Sequence, residues 1–233
     1  MFVDILLISI IAGIIAIDVR TIGGTMLSRP LVVGPLVGLM LGDVSIGFYV
    51  AILVELLWIG LLPIGAYLPV ETLPITTVTV SLTILLKEVV AIPVPALLIF
   101  ALMASIPLGY IGRWAEVHIR NLNSAMSASL VKEAEKGDFS RISLIQGVNI
   151  FITFLKNFIL CFVPVFFGLE LFQNIVNSMP LQFKEGVLYA NWLIPALGFA
   201  VVMEIFLVAK HVKGFFLSYF ISIALFYAMK VIK

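Results

Sequence analysis

A chain of 233 residues and 25.6 kDa, with 62% of its residues in the set AVILMFWYC, 12% charged and a mean hydropathy of +1.21, is neither a soluble globular domain nor a disordered chain. Its 14 Lys and Arg against 13 Asp and Glu leave a net charge of +1, which excludes the basic footprint of a nucleic-acid binder. The apolar stretches are continuous rather than alternating, so the expected fold is all-α: a polytopic transmembrane helical protein, not a β-barrel.

A helix needs ~20 apolar residues to cross the ~30 Å hydrocarbon core. The first apolar run, residues 5–17, follows Asp4 without a basic region before it, and reads as a retained membrane segment rather than a cleaved signal. Asp18 and Arg20 mark its boundary, and Asp18 is also a candidate ligand for a polar solute. The next run, residues 31–41, is too short to span and is fenced by Arg29, Pro30 and Asp43. Within it Gly34, Gly38 and Gly42 recur every four residues; on one helix they would form a smooth face for close backbone packing. Asp43 suits the N-cap of the helix that follows.

Residues 47–67 read as a full span whose single charge is Glu55, in AILVELLW at 51–58. A charge at membrane depth costs about 2.5–3.5 kcal/mol on insertion scales, which makes it a functional candidate. A carboxylate there can accept hydrogen bonds from sugar hydroxyls or hold a proton. The stretch PIGAYLPVETLP at 63–74 cannot be regular helix: its three prolines remove amide donors and Gly65 permits unusual backbone angles. Irregular backbone at membrane depth survives only where protein buries it or where it lines a wet cavity. Glu71, with Thr72, Thr76 and Thr77, offers hydroxyl-binding groups at its end. Residues 73–86 form another short run. Short, Gly/Pro-interrupted segments beside full spans predict broken helices or re-entrant hairpins.

Residues 89–112 carry no charge and predict a span. Residues 113–141 hold 9 of the 27 charges, and predict an amphipathic helix with Val117, Leu122, Met126 and Leu130 on its apolar side, then a turn at 136–138. Spans are expected again over 144–168, 187–209 and from 214 onward. Lys156 and Glu204 lie inside two of them and are expected to pair. The chain thus divides into an N-terminal membrane half (1–112), a cytoplasmic amphipathic segment (113–143) and a C-terminal membrane half (144–233), which leaves room for an inverted repeat. The central segment and the loop at 210–213 carry seven Lys or Arg against three on the opposite side, which places them in the cytoplasm.

One Cys and two distant His allow no metal cluster, and no cofactor is expected. No nucleophile or Asp/His constellation favours a membrane enzyme. The residues alone therefore indicate a transporter, for example a stand-alone proton-coupled secondary transporter of a small polar solute with Glu55 and Glu204 as proton sites.

One family fits more closely. RPLVVGPLVGLMLGD at 29–43, Gly47, Val54-Glu55 and the stretch from Ile64 to Glu71 resemble the N-terminal signature of the enzyme IIC subunit of mannose/fructose/sorbose phosphotransferase systems (PTS). DFS at 138–140, NSMP at 177–180 and IPALGFA at 194–200 also fit. Glu71 stands where that family more often has aspartate, a departure that keeps the charge. The resemblance implies a IIC subunit, the sugar-translocating membrane component of a phosphoenolpyruvate-dependent system. It implies a IID membrane partner in a trimeric assembly in the bacterial inner membrane. A hexose-type sugar would move inward by an elevator-like mechanism while cytoplasmic IIA and IIB carry the phosphoryl group. This chain itself would then be no enzyme. Carried over by position, Glu55 and Glu71 would lie at or near the sugar site; Asp18 and Thr72, read from the residues themselves, are the further candidate substrate contacts. Arg29, Pro30, Gly34, Gly38, Gly42, Asp43 and Gly65 would belong to the structural, mobile core.

Overall fold

The structure is a computed structural model that describes residues 1–18, 23–60, 68–135, 139–208 and 212–231. Among the described residues there are eight α-helices and no strand: α1 (Phe2–Ile17), α2 (Pro30–Met40), α3 (Val44–Trp58), α4 (Thr72–Leu86), α5 (Val94–Glu135), α6 (Phe139–Ser178), α7 (Leu181–Val208) and α8 (Val212–Val231). α1 to α4 have 11 to 16 residues and fall short of the ~30 Å core. α5 and α6, with 42 and 40 residues, run about 60 Å, twice that thickness. Among the described residues, two stretches are long and apolar enough to cross a membrane, Val94–Ser124 and Ile142–Ser178.

α2 and α3 form a tight hairpin. Pro30 opens α2 at the first helical position, where its missing N–H costs nothing and its fixed φ suits the helix. The turn is made by Gly42 at φ +83°, a conformation that penalises any side chain. Asp43 N–H then donates to Gly38 O at 2.8 Å. Asp43 caps α3 as expected, its Oδ1 accepting from Ile46 N at 3.1 Å. The two backbones touch through glycine: a Cβ on Gly34 would lie 2.5 Å from Gly47 O, and one on Gly38 would lie 3.0 Å from Gly47 Cα. This corrects the expected stripe. Gly34 and Gly38 face Gly47, while Gly42, past the end of α2, makes the turn and meets nothing within 4 Å. The expected full span over 47–67 is corrected too: its helix, α3, stops at Trp58, and residues 61–67, with Gly65, lie outside the described residues.

α4 is the central helix, buried almost all round from Leu73 to Leu86 and packed by α1, α2, α3, α5 and α6. Three of its hydroxyls bond back to the preceding turn: Thr76 to Thr72 O, Thr79 to Ile75 O and Thr83 to Thr79 O, at 2.7–2.8 Å. Thr79 also meets Ser105 of α5 at 2.7 Å. Apolar side chains of α1 to α6 close around it in two clusters, one containing Val33, Val50, Val54 and Ile75, the other Ile5, Val78, Leu97 and Phe172.

The amphipathic segment expected from residue 113 does not start a new helix. α5 passes from the charge-free stretch through Arg113 to Glu135 without a break. On it Val117 and Leu122 are exposed, while Glu116 is buried. The expected turn at 136–138 lies outside the described residues. α6 returns alongside α5, α7 packs on α3 and α5, and α8 on α7.

Candidate functional site

The order of the short helices brings one set of charged residues to a common end. The α2–α3 turn is fixed beside the C-terminus of α4 by an ion pair, Lys87 Nζ to Asp43 Oδ2 at 2.7 Å. α1 begins at that same end, where Phe2 and Ile5 border Leu86. The other ends of these four helices therefore lie together: Asp18 closes α1, Arg29 precedes α2, Glu55 is near the end of α3, and Glu71 precedes α4.

Asp18 is 1% exposed and spends its carboxylate on the chain that follows. Oδ1 accepts from Thr25 N (3.0 Å) and Thr25 Oγ1 (2.7 Å), and Oδ2 accepts from Leu27 N (3.1 Å). It thereby shapes the segment that delivers Arg29. Arg20 lies outside the described residues. Arg29 then pairs across the hairpin, Nη1 to Glu55 Oε1 at 3.0 Å. Glu55 Oε2 is buried and has no hydrogen-bond partner among the described residues.

Glu71 sits at the N-cap position of α4 with extended backbone, but its side chain makes no cap bond. It turns instead to α6, where Oε1 accepts from Lys156 Nζ. Lys156 also donates to Glu116 Oε2 of α5 at 3.0 Å, and Glu116 Oε1 takes Arg120 Nε at 3.2 Å. Glu71 Oε2, like that of Glu55, is buried without a partner among the described residues. Two glycines of α5 make this approach possible. Glu71 N–H donates to Gly109 O at 3.3 Å, and a Cβ on Gly112 would come 2.5 Å from Glu71 Oε2. Thr72 opens α4 next to Glu71, its carbonyl taken by Thr76. Thr77 Oγ1 and Ser81 Oγ, further along α4, are also buried without partners among the described residues.

The pairing expected between Lys156 and Glu204 is corrected. α6 faces α4 and α5 at Lys156, so its ammonium meets Glu71 and Glu116, while Glu204 is exposed on α7. Sequence reasoning passed over Glu116, Gly109, Gly112 and Lys87 as site residues. Three of these carried a local signal: Glu116 and Arg120 are an i,i+4 acid–base pair, and Gly109 with Gly112 are small residues one turn apart in a charge-free span. Among the described residues no group of His, Cys, Asp and Glu is arranged to hold a metal. Chemically, Glu55 and Glu71 each have one oxygen held by a cation and the other buried without a partner among the described residues, which makes them candidate hydroxyl acceptors rather than nucleophiles.

Comparison with known proteins gives a consistent result. The family model described as the PTS system sorbose-specific IIC component matches residues 2–233. The mannose-specific EIIC component of the phosphotransferase system of Escherichia coli K12 is 24% identical over 197 residues, covering 84% of this chain and 71% of that protein. A solved structure described only as a membrane protein superposes with a TM-score of 0.75 at 24% identity, covering 100% of this chain and 92% of that one. The cryo-EM structure of the mannose transporter ManYZ in complex with microcin E492 contains a chain that superposes with a TM-score of 0.61 at 24% identity, over 96% of this chain and 87% of that one.

Proposed function

This chain belongs to the family of sorbose-specific IIC components of phosphotransferase systems and is a sugar-translocating membrane subunit, not a phosphoryl-transfer enzyme; we propose that it binds a hexose-type sugar at the end of the helix assembly where Glu55 and Glu71 lie. One observation carries the proposal: both carboxylates are wired alike, with Oε1 on a cation (Arg29 or Lys156) and Oε2 buried without a partner. A buried acceptor without a donor is costly, and a sugar hydroxyl supplies that donor; a hydrogen bond to a charged group contributes about 1.5–3 kcal/mol. Thr72 lies beside Glu71 as a further hydroxyl contact, and Asp18 holds the wall that carries Arg29.

A IIC component works with partner subunits. The partners proposed here are a IID membrane subunit, in a trimeric assembly, and cytoplasmic IIB and IIA subunits, with the bacterial inner membrane as the location. Support comes from the likeness in fold to a chain of the ManYZ transporter. The charged stretch 113–143, cytoplasmic by the Lys/Arg distribution, is the surface offered to the phosphoryl carriers. The α2–α3 hairpin, with Arg29, Pro30, Gly34, Gly38, Gly42 and Asp43, is the element proposed to move in an elevator-like step. Its two helices are too short to span, and their glycine contact keeps them one rigid body.

The test is uptake of radiolabelled mannose or sorbose into vesicles holding this chain with its IID, IIB and IIA partners. Uptake that requires phosphoenolpyruvate and all partners, and that loses affinity on Glu55→Gln or Glu71→Gln, supports the proposal. Uptake by this chain alone, driven by a proton gradient, would replace it with the stand-alone carrier. Family membership does not favour that alternative, and one of its proton sites, Glu204, is exposed.

A further inference from the structure

We propose that Lys156 is the positioning residue for Glu71, holding one carboxylate oxygen so that the other is left as an unpaired acceptor for the sugar, and that Glu116 serves as the counter-ion that keeps Lys156 in place. This inference rests on the sugar site proposed above.

The two glutamates at Lys156 are not equivalent. Glu116 is 6% exposed and commits both oxygens, Oε2 to Lys156 and Oε1 to Arg120. Glu71 commits only Oε1, and its Oε2 is left buried and unpartnered. One cation between two carboxylates thus produces one satisfied acid and one with an acceptor to spare. An ammonium has three donors and no acceptor, so it can hold both acids at once while adding nothing that competes for the sugar as an acceptor.

The position is set by three helices. Lys156 comes from α6 and Glu116 from α5. Glu71 is held from behind by its own N–H on Gly109 O. Gly112 lets the carboxylate lie flat against α5, because any Cβ there would come 2.5 Å from Oε2. Held on Lys156, the Glu71 side chain makes no bond to the N–H groups that open α4. Without Lys156 it is released to turn toward those donors and away from the sugar. Lys156 itself is buried, its side chain 8% exposed, so it is screened from the sugar by the acids it holds.

The test uses the complete complex in proteoliposomes with radiolabelled mannose, or sorbose where the wild type does not take up mannose. Lys156→Met alone strands two buried acids, so it is made together with Glu116→Gln. The double variant is expected to raise KM about tenfold or more while the maximal rate stays within about threefold. Glu71→Gln is expected to raise KM similarly. The triple variant should be no worse than Glu71→Gln, since a positioning residue has nothing left to position. Lys156→Arg keeps the charge but moves the donors. It gives a second reading where the double variant fails to assemble, with raised KM expected at unchanged assembly. Wild-type KM in the double variant or in Lys156→Arg, with Glu71→Gln impaired, overturns the positioning role alone. Wild-type KM in Glu71→Gln overturns the site reading and this inference with it.

Discussion

Lys156 of α6 reaches across 85 positions of sequence to Glu71, the residue that precedes the central helix, and binds Glu116 of α5 with the same ammonium. The contact ties the start of α4 to the two longest helices. Buried charges of this kind add little net stability when paired, but removing one partner is costly, about 3–5 kcal/mol, because the other is left uncompensated. Under the proposed sugar site, the network serves to place carboxylate oxygens rather than to add stability.

Glu55→Gln is expected to assemble normally and to lose sugar affinity by about tenfold or more, since an amide replaces the charged acceptor and breaks the pair with Arg29. Concentration-dependent uptake by the reconstituted complex reads this directly. Near-normal kinetics would remove Glu55 from the site.

Gly34→Ala and Gly47→Ala are each expected to destabilise the α2–α3 hairpin by about 1–3 kcal/mol, because the new methyl meets backbone atoms that cannot move aside. Gly147→Ala and Gly168→Ala, where a Cβ meets nothing within 4 Å, serve as controls and should leave thermal stability in lipid unchanged. Equal effects at all four positions would contradict the close backbone packing.

Asp43→Ala removes both the cap on Ile46 N and the pair with Lys87, whereas Asp43→Asn keeps a capping oxygen and loses only the charge. A lost cap costs about 1 kcal/mol and a partly exposed ion pair about 1 kcal/mol or less, so Ala should be the more damaging of the two. The Lys87 ammonium, and then the Ile46 N–H, hold the Asp43 carboxyl below its ordinary value. Its contribution is therefore complete above pH ~4 and is lost as the pH falls through the lower native value. Thermal denaturation across acidic pH, wild type against Asp43→Asn, checks the sign.

His118→Ala, His211→Ala and Cys161→Ser, made together, should leave phosphoenolpyruvate-dependent sugar phosphorylation intact when the partner subunits are supplied. A phosphoryl carrier needs an activated nucleophile open to its donor. His118 is exposed but its ring lies tilted against Trp114, with Nδ1 2.9 Å from Trp114 O, and Cys161 is fully buried within α6. His211 lies outside the described residues, and the reading for it rests on sequence: the loop between two expected spans is too short to fold a catalytic site. Radiolabelled phosphate bound covalently to this chain would contradict the prediction.

Much of the site was legible residue by residue. A lone Glu55 in AILVELLW stands out because charge at membrane depth is expensive. Of PIGAYLPVETLP, residues 68–71 are non-helical as expected, 63–67 lie outside the described residues, and 72–74 are corrected: α4 begins at Thr72 with Pro74 in its first turn, where a missing N–H costs nothing. Asp43 before Ser45 is a capping signal that local backbone geometry alone decides. Gly42 shows the limit of such patterns: a four-residue spacing puts it on the Gly34–Gly38 face only if the helix continues, and the helix ends at Met40.

Composition and hydrophobic run length, which depend only on transfer of side chains out of water, were enough to determine an all-helical membrane protein, its broken short segments and its charged candidates. The tertiary structure alone decided the partners of those charges. Lys156 reads equally well as a partner for Glu204 or for any other intramembrane acid, because pairing energy depends on distance and sequence separation does not encode it. Only the packing of α6 against α4 and α5, made possible where Gly109 and Gly112 let Glu71 approach the helix backbone, settles that Lys156 meets Glu71 and Glu116.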